Sequence, residues 1–373
     1  MKYCKRCVQP NTRPGIEFNK EGICPPCQYM DKFRDIDWKA RKEKLKEIIE
    51  FGKKKNVSGY DCIIGVSGGK DSTRQSLYVR DELGLKPLLV CCSYPPEQLT
   101  ERGAHNLANL ISLGFDTISV SPAPQTWKKL MRIGFLRFGN WARSTEMALY
   151  ACVPRVAIAY HIPLIFLGEN PAIQLGDLGV GSLTWIANKM KHSNTIEGGP
   201  DSLLKKKDNI SDQELIWYRY PSDDEMEWAK LEIVYLGYFW KDFNKVDNAK
   251  VSISNGLEIR DDIPENVGAI HPFEALDDDF VIVNQMMKYL KFGFGKVTDE
   301  TCEELRLGRI DRKKAIELVK RYDGKCNIRY IKNFCKYIDI KVDEFWKVAE
   351  SFRNKEIWEK DKAGRWKLKV ELN

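Results

Sequence analysis

The sequence predicts an α/β fold, a doubly wound parallel sheet carrying an N-terminal cysteine module of the zinc-ribbon type and a helical C-terminal region. Three observations lead there. Apolar strand-like runs alternate with helical patterns from Tyr60 to Leu167, two Cys-x2-Cys pairs crowd the first 27 residues, and from Phe273 onward the pattern is mostly helical. Strands alternating with helices imply parallel pairing with both sheet faces covered.

Composition bounds the rest. A chain of 373 residues can bury a full core and suggests about two domains. No apolar run reaches the roughly 18 residues of a membrane span, and the first residues, Met1-Lys2-Tyr3-Cys4, lack an apolar signal core. No membrane insertion and a cytoplasmic location are expected. The net charge of +7 suits anionic ligands without demanding nucleic acid. Eleven cysteines without an export signal favour thiols and metal ligands over disulfides.

Taken in chain order, Cys4-x2-Cys7 and Cys24-x2-Cys27 can each set two thiolates on one side of a tight turn, and together they form a Cys4 site for Zn2+. About 30 residues build little core, so the metal would supply folding energy. A redox dithiol or an iron–sulfur cluster is the alternative. Trp38–Lys55 reads as an amphipathic connecting helix with Leu45, Ile48 and Ile49 on one face. Its basic residues could contact RNA, although a solvated face is the commoner role.

From Tyr60 the expected order is strand Asp61–Val66, helix Asp71–Leu83, strand Pro87–Ser93, helix Leu99–Leu113, strand Asp116–Val120, a helical stretch Trp127–Ala159 and strand Pro163–Leu167. The turn after the first strand is Val66-Ser67-Gly68-Gly69-Lys70-Asp71-Ser72. Glycines let backbone N–H groups approach an oxyanion, and the following helix N-terminus faces it. Ser67 and Ser72 supply hydroxyl donors, and Lys70 supplies an ammonium. Asp71 either holds Mg2+ or sits back as a helix cap. A plain strand-to-helix turn would use the same glycines only to bend. The Gly-x4-Gly-Lys spacing of kinases and GTPases is absent, so ATP is expected to split between its α and β phosphates.

Ligands of such sheets bind beyond the carboxyl ends of the strands. That rule adds Cys91-Cys92-Ser93-Tyr94, with Ser93 near the nucleoside by position, and Gly168-Glu169-Asn170, which is equally an ordinary strand-ending turn. Residues 171–215 read as a long polar insertion over the site. The aromatics around Tyr218, Tyr220, Tyr235 and Trp240 suit stacking on a sugar or base, though core is their commoner role. Helices are expected at Asp278–Phe292, Asp299–Leu307, Arg312–Tyr322 and around Asp343–Arg353. The implied units are 1–37, 38–57, 58–245 and 246–373.

The cysteine module, the Val66–Ser72 turn, Gly168-Glu169-Asn170, Tyr220-Pro221-Ser222-Asp223-Asp224-Glu225, Lys288-Tyr289-Leu290-Lys291-Phe292-Gly293-Phe294-Gly295 and Arg306-Leu307-Gly308-Arg309 together resemble one family. It is that of the bacterial N-acetyl sugar amidotransferases of the PseA/WbpG type, within the ATP-pyrophosphatase (PP-loop) superfamily. The resemblance implies an adenine-nucleotide alpha hydrolase-like fold and conversion of an acetamido group on a nucleotide sugar to an acetamidino group. Such sugars enter lipopolysaccharide O antigen or flagellin glycans, and the resemblance leans to a UDP-linked diacetamido uronic acid over a CMP-linked nonulosonic acid. ATP and pyrophosphate would sit on Ser67, Gly68, Gly69, Lys70, Asp71, Ser72, Ser93 and Gly168, with Lys70, Asp71 and Glu169 in catalytic roles. Glu169 would orient ammonia or accept its proton.

The ammonia is expected from a separate glutaminase subunit. Position 2 is Lys2 rather than the cysteine of an N-terminal nucleophile, and no cysteine has the glycine setting of a nucleophile elbow. Two other classes compete. A tRNA-modifying PP-loop enzyme of the thiolation type also combines a zinc module with such a turn, but its sulfur relay uses a second cysteine pair near the nucleotide. A non-catalytic zinc and nucleotide-binding adaptor is the third.

Overall fold

The computed structural model describes residues 1–174, 184–192 and 195–373. Five strands, β1 (Cys62–Val66), β2 (Pro87–Cys92), β3 (Thr117–Val120), β4 (Leu164–Leu167) and β5 (Glu232–Tyr235), form one sheet in the order β3-β2-β1-β4-β5. Every pairing is parallel. The first four match the expected runs to within a residue. The fifth was not expected, because its Glu-Ile-Val-Tyr core is only four residues long and merges with an aromatic run.

Alternation along β1 assigns the two faces. Ile63 joins a core with Trp127 and Met147 from helices Pro124–Phe138 and Ala142–Ala159 and with Trp141 at the start of the second, whereas Cys62 and Ile64 join Leu45, Ile48 and Leu110. Helix Trp38–Lys55 is therefore a layer of the sheet as well as a connector. Gly52 brings it close, since a Cβ there would lie 2.7 Å from Leu164 Cδ2. Most of the aromatics take the commoner, core role, and Tyr220 lines the cavity described below. Trp240 is 8% exposed and stacks on Tyr78 with ring centroids 4.0 Å apart, and Tyr218 and Tyr235 are buried.

The stretch read as one helix from Trp127 breaks into two. Gly139, in the left-handed region at φ +55°, closes the first helix, and the second restarts at Ala142. The helix after the glycine turn also ends early, at Leu77, and continues as a π turn over Tyr78–Glu82. Part of the 171–215 segment, residues 175–183 and 193–194, lies outside the described residues. Its described part is less polar in role than its composition suggests: Ala187, Met190, Ile196 and Leu203 enter the core, and Ile186 bridges to Val234 beside β5.

The C-terminal helices share the core of the first sheet face. Phe345 of Val342–Ser351 stacks on Phe135 at 5.0 Å, and Phe334 of Ile328–Tyr337 meets Trp141. Helices Phe280–Phe292, Lys296–Arg306 and Arg312–Tyr322 precede them, and β6 (Trp358–Lys360) and β7 (Trp366–Leu368) close the chain as an antiparallel hairpin. Among the described residues no helix is long and apolar enough to cross a membrane.

Candidate functional site

The order β3-β2-β1-β4-β5 reverses direction between β1 and β4, the switch point where open α/β sheets bind ligands. The glycine turn leaves β1 there. Gly68 has φ +80°, and a Cβ on it would lie 2.7 Å from the Leu107 backbone nitrogen, so only glycine lets the turn pass helix Glu101–Ser112. Gly69 precedes helix Lys70–Leu77, and no side chain caps that helix. Its first N–H groups are left facing outward for a ligand. Ser72 Oγ bonds back to the Gly69 carbonyl at 3.1 Å, and Ser67 Oγ accepts the Gly69 N–H at 3.4 Å.

A cavity of about 620 Å³ opens over this turn and is lined by Ser67, Gly69, Lys70, Asp71, Ser72, Gly168 and Glu169. Ser93 and Gly68 do not line it; the Ser93 N–H instead bonds the Val120 carbonyl. Lys70 Nζ pairs with Asp71 at 3.0 Å and with Glu274 at 3.3 Å. Burial opposes its charge, yet these two carboxylates outweigh burial and hold its pKa above the ordinary lysine value. Asp71 Oδ2 faces Lys70, and its Oδ1 accepts from Asn248 Nδ2 at 2.7 Å. Asp71 thus positions Lys70, and each of its oxygens keeps a lone pair on a side chain that is 40% exposed.

Several residues at the site escaped sequence reasoning. Asn248 and Ser252, one turn apart on helix Lys245–Ser254, clamp the turn, with Ser252 Oγ donating to the Lys70 carbonyl at 2.7 Å. Both are fully buried polar residues in a helix with no motif to mark it. Tyr150 OH donates to Glu169 Oε1 at 3.1 Å, and Glu146 stands one turn before Tyr150 on the same helix. Burial raises the Glu169 pKa against the Tyr150 hydrogen bond, and the Asp71 charge adds to the rise. Burial likewise raises Glu146, with Glu169 adding to it. A lone acid in the Ala- and Val-rich stretch Ala142–Ala159 is the signal that could have revealed Glu146.

The rest of the cavity wall comes from distant segments: Gln9 and Arg13 from the cysteine module, Lys245, and Lys296, Glu303 and Arg306 from helix Lys296–Arg306. The cysteine module docks beside it. Cys4, Cys7, Cys24 and Cys27 are buried with their sulfurs all within 4.8 Å of one another. Zn–S bonds of about 2.3 Å in a tetrahedron require sulfurs about 3.8 Å apart, and Cys7 and Cys24 stand at 3.6 Å. The Arg6 and Cys24 N–H groups donate to Cys4 Sγ at 3.4 and 3.3 Å, which suits a metal-bound thiolate. The four residues fit a closed structural zinc site. Arg312 ties the module to the C-terminal region by donating to the Cys4 carbonyl at 3.1 Å and to the Cys7 carbonyl.

Of the other motif segments, Ser222 and Glu225 form a reciprocal cap on helix Asp223–Trp228, and Arg309 bonds Asn244 and Asp247. Both roles are structural.

Fold and site define an α/β protein with a glycine turn at the switch point of a parallel sheet, facing a cavity completed by a helical C-terminal region. That region, residues 268–372, matches the family model described as LPS biosynthesis protein WbpG-like, C-terminal domain. Over these residues the chain is similar to that lipopolysaccharide-biosynthesis family. A segment of 88 residues, 23% of the chain, is also 34% identical to a protein named Uncharacterized protein MJ1599 from Methanocaldococcus jannaschii. The match spans 31% of that relative's length.

Proposed function

We propose that the chain is an ATP-dependent amidotransferase that converts the acetamido group of a nucleotide-activated sugar to an acetamidino group, in lipopolysaccharide biosynthesis. One observation supports this above others: the glycine turn and the WbpG-like region wall a single cavity, with Lys70 and Glu274 meeting across it at 3.3 Å. An amide oxygen is a poor leaving group. Its attack on the α-phosphorus of ATP would form an O-adenylyl imidate and break the bond to the β-phosphate, releasing pyrophosphate. Ammonia would then add to the imidate carbon, lose a proton, and expel AMP.

The residues suit these two steps. The open N–H groups of helix Lys70–Leu77 and the Lys70 ammonium would take up charge on the departing pyrophosphate. Glu169, whose pKa is raised by burial, would accept the proton that ammonia loses, oriented by Tyr150. Zinc, held by the four cysteines, would take no part in the chemistry. Ammonia would come from a separate glutaminase.

Incubation with ATP, Mg2+, ammonium and candidate acetamido nucleotide sugars tests this. AMP, pyrophosphate and an amidine product are expected together, and ADP release or no turnover with excess ammonium refutes the reading.

One observation favours the tRNA-modifying alternative. Cys92 and Cys152 both line the cavity, so two cysteines do stand near the turn. Cys92 and burial push the Cys152 thiol well above its usual pKa, the wrong direction for a sulfur nucleophile. Steeply salt-dependent tRNA binding would support that alternative, and its absence at low salt would remove it.

A further inference from the structure

Helix Lys296–Arg306 reverses the usual amphipathic arrangement. Its buried residues include Thr298, Glu300, Thr301, Glu303 and Glu304. Lys296, Asp299, Glu303 and Arg306, spaced by three or four residues, turn one charged edge into the cavity. Most of that charge is settled within the protein. Lys296 pairs with Glu274 at 2.7 Å, Asp299 with Lys288 and Arg13, and Glu303 with Lys245 at 3.2 Å.

Arg306 is the exception. Its Nε is enclosed without a hydrogen-bond acceptor, and the guanidinium makes no ion pair with any described residue. The nearest groups that favour its charge are the thiols of Cys302 and of the four-cysteine cluster, yet no sulfur accepts a hydrogen bond from it. A guanidinium carries five donors in a planar fork that matches a two-oxygen anion, and here the fork is half-buried in the cavity wall with no acceptor for its enclosed Nε. On the stretch of wall that Arg306 shares, Arg13, Lys245, Lys296 and Arg306 stand with Glu274, Asp299 and Glu303, and the other carboxylates of the cavity, Asp71, Glu146, Glu169 and Asp277, belong to different segments. Ten residues of helix place Arg306 about 15 Å along the axis from Lys296, which itself shares Glu274 with Lys70.

The structure assigns to Arg306 the recognition of an anionic group of the acceptor, a carboxylate or a phosphate, at the end of the cavity remote from the glycine turn. This rests on the nucleotide-sugar reading of the cavity. The cysteine module thereby gains a second role, because docking it brings Gln9 and Arg13 to the wall of the same subsite.

Calorimetric binding of UDP-N-acetylglucosaminuronic acid, UDP-N-acetylglucosamine and UDP to the wild-type, Arg306→Gln and Arg306→Lys chains tests the assignment. If the anion is a sugar carboxylate, the wild type prefers the uronate by about tenfold or more, and Arg306→Gln erases that preference. If it is the diphosphate, Arg306→Gln weakens all three probes alike and Arg306→Lys recovers part of the loss. Unchanged affinities in Arg306→Gln overturn the proposal, as does failure of the wild type to bind any probe. Weakened binding accompanied by loss of zinc overturns it too, because Arg306 would then serve only as a counter-ion to the thiolates. Binding is read without ATP or ammonium, so a chain that binds but never releases AMP would sink the amidotransferase reading while leaving the subsite standing.

Discussion

At the sheet end of the cavity the wall is backbone, a glycine turn followed by the uncapped N-terminus of helix Lys70–Leu77, contributed by seven consecutive residues. At the other end it is side-chain charge, brought together from positions as distant as Arg13 and Asp299. The first end is organised by local conformation and is ready for an anion as soon as the strand and helix form. The second exists only once the whole chain has packed, and its carboxylates are consumed by neighbouring cations before any ligand arrives. A site can thus be half local and half global, and its two halves should respond differently to substitution.

The largest effect is expected at the global end. Asp299→Asn removes the carboxylate shared by Arg13 and Lys288, and breaking these part-buried ion pairs should cost about 3 kcal/mol of stability at neutral pH, measured by denaturant unfolding. The opposed cations hold the Asp299 pKa below its ordinary value despite burial. Its contribution is therefore full above the unfolded pKa of about 3.9 and fades as pH falls toward the depressed folded value. The gap between wild type and variant should close on acidification, and a gap that widens would break the comparison.

At the local end, Lys70→Ala should lower adenylyl transfer by roughly 10²–10³-fold, the scale of losing one charge-stabilising donor. Zinc content should not change, while loss of the buried Lys70–Glu274 pair lowers the unfolding midpoint as well. A variant that fails to fold would instead place Lys70 among the structural ion pairs of the other end.

A smaller loss, about 10²-fold, is expected for Glu169→Gln. Glu169 must be ionised to accept a proton, and its pKa is raised by burial. The acidic limb of kcat/KM should therefore lie above the ordinary carboxylate value of about 4.3 and vanish in the variant. An unchanged limb would assign the titration to another group, with Glu146 the first to test.

Legibility in the sequence followed the same division. The four cysteines and the Ser67–Ser72 turn were visible because short spacing alone dictates their geometry, and β1 to β4 were visible because their apolar runs are bounded by turns. β5 was not, since four residues beside an aromatic run carry no distinctive period. Asn248, Ser252, Glu146 and Arg306 were invisible as site residues for a different reason. Asn248 and Ser252 sit in a helix whose local pattern is ordinary, Glu146 and Arg306 in helices with an unusual one, and for all four only tertiary packing turns the residue toward the cavity. Likewise, nothing local in Trp38–Lys55 says that Leu45 and Ile48 cover the sheet.

The Arg312 bonds to the Cys4 and Cys7 carbonyls join residues 308 and 305 positions apart. During synthesis at 5–20 residues per second, the cysteines wait about 15–60 s for that partner to be made. Metal capture can therefore come early and docking late. The ribosome-bound chain would carry a loaded but untethered cysteine module for much of its production, and the far end of the cavity would be among the last parts of the protein to take shape.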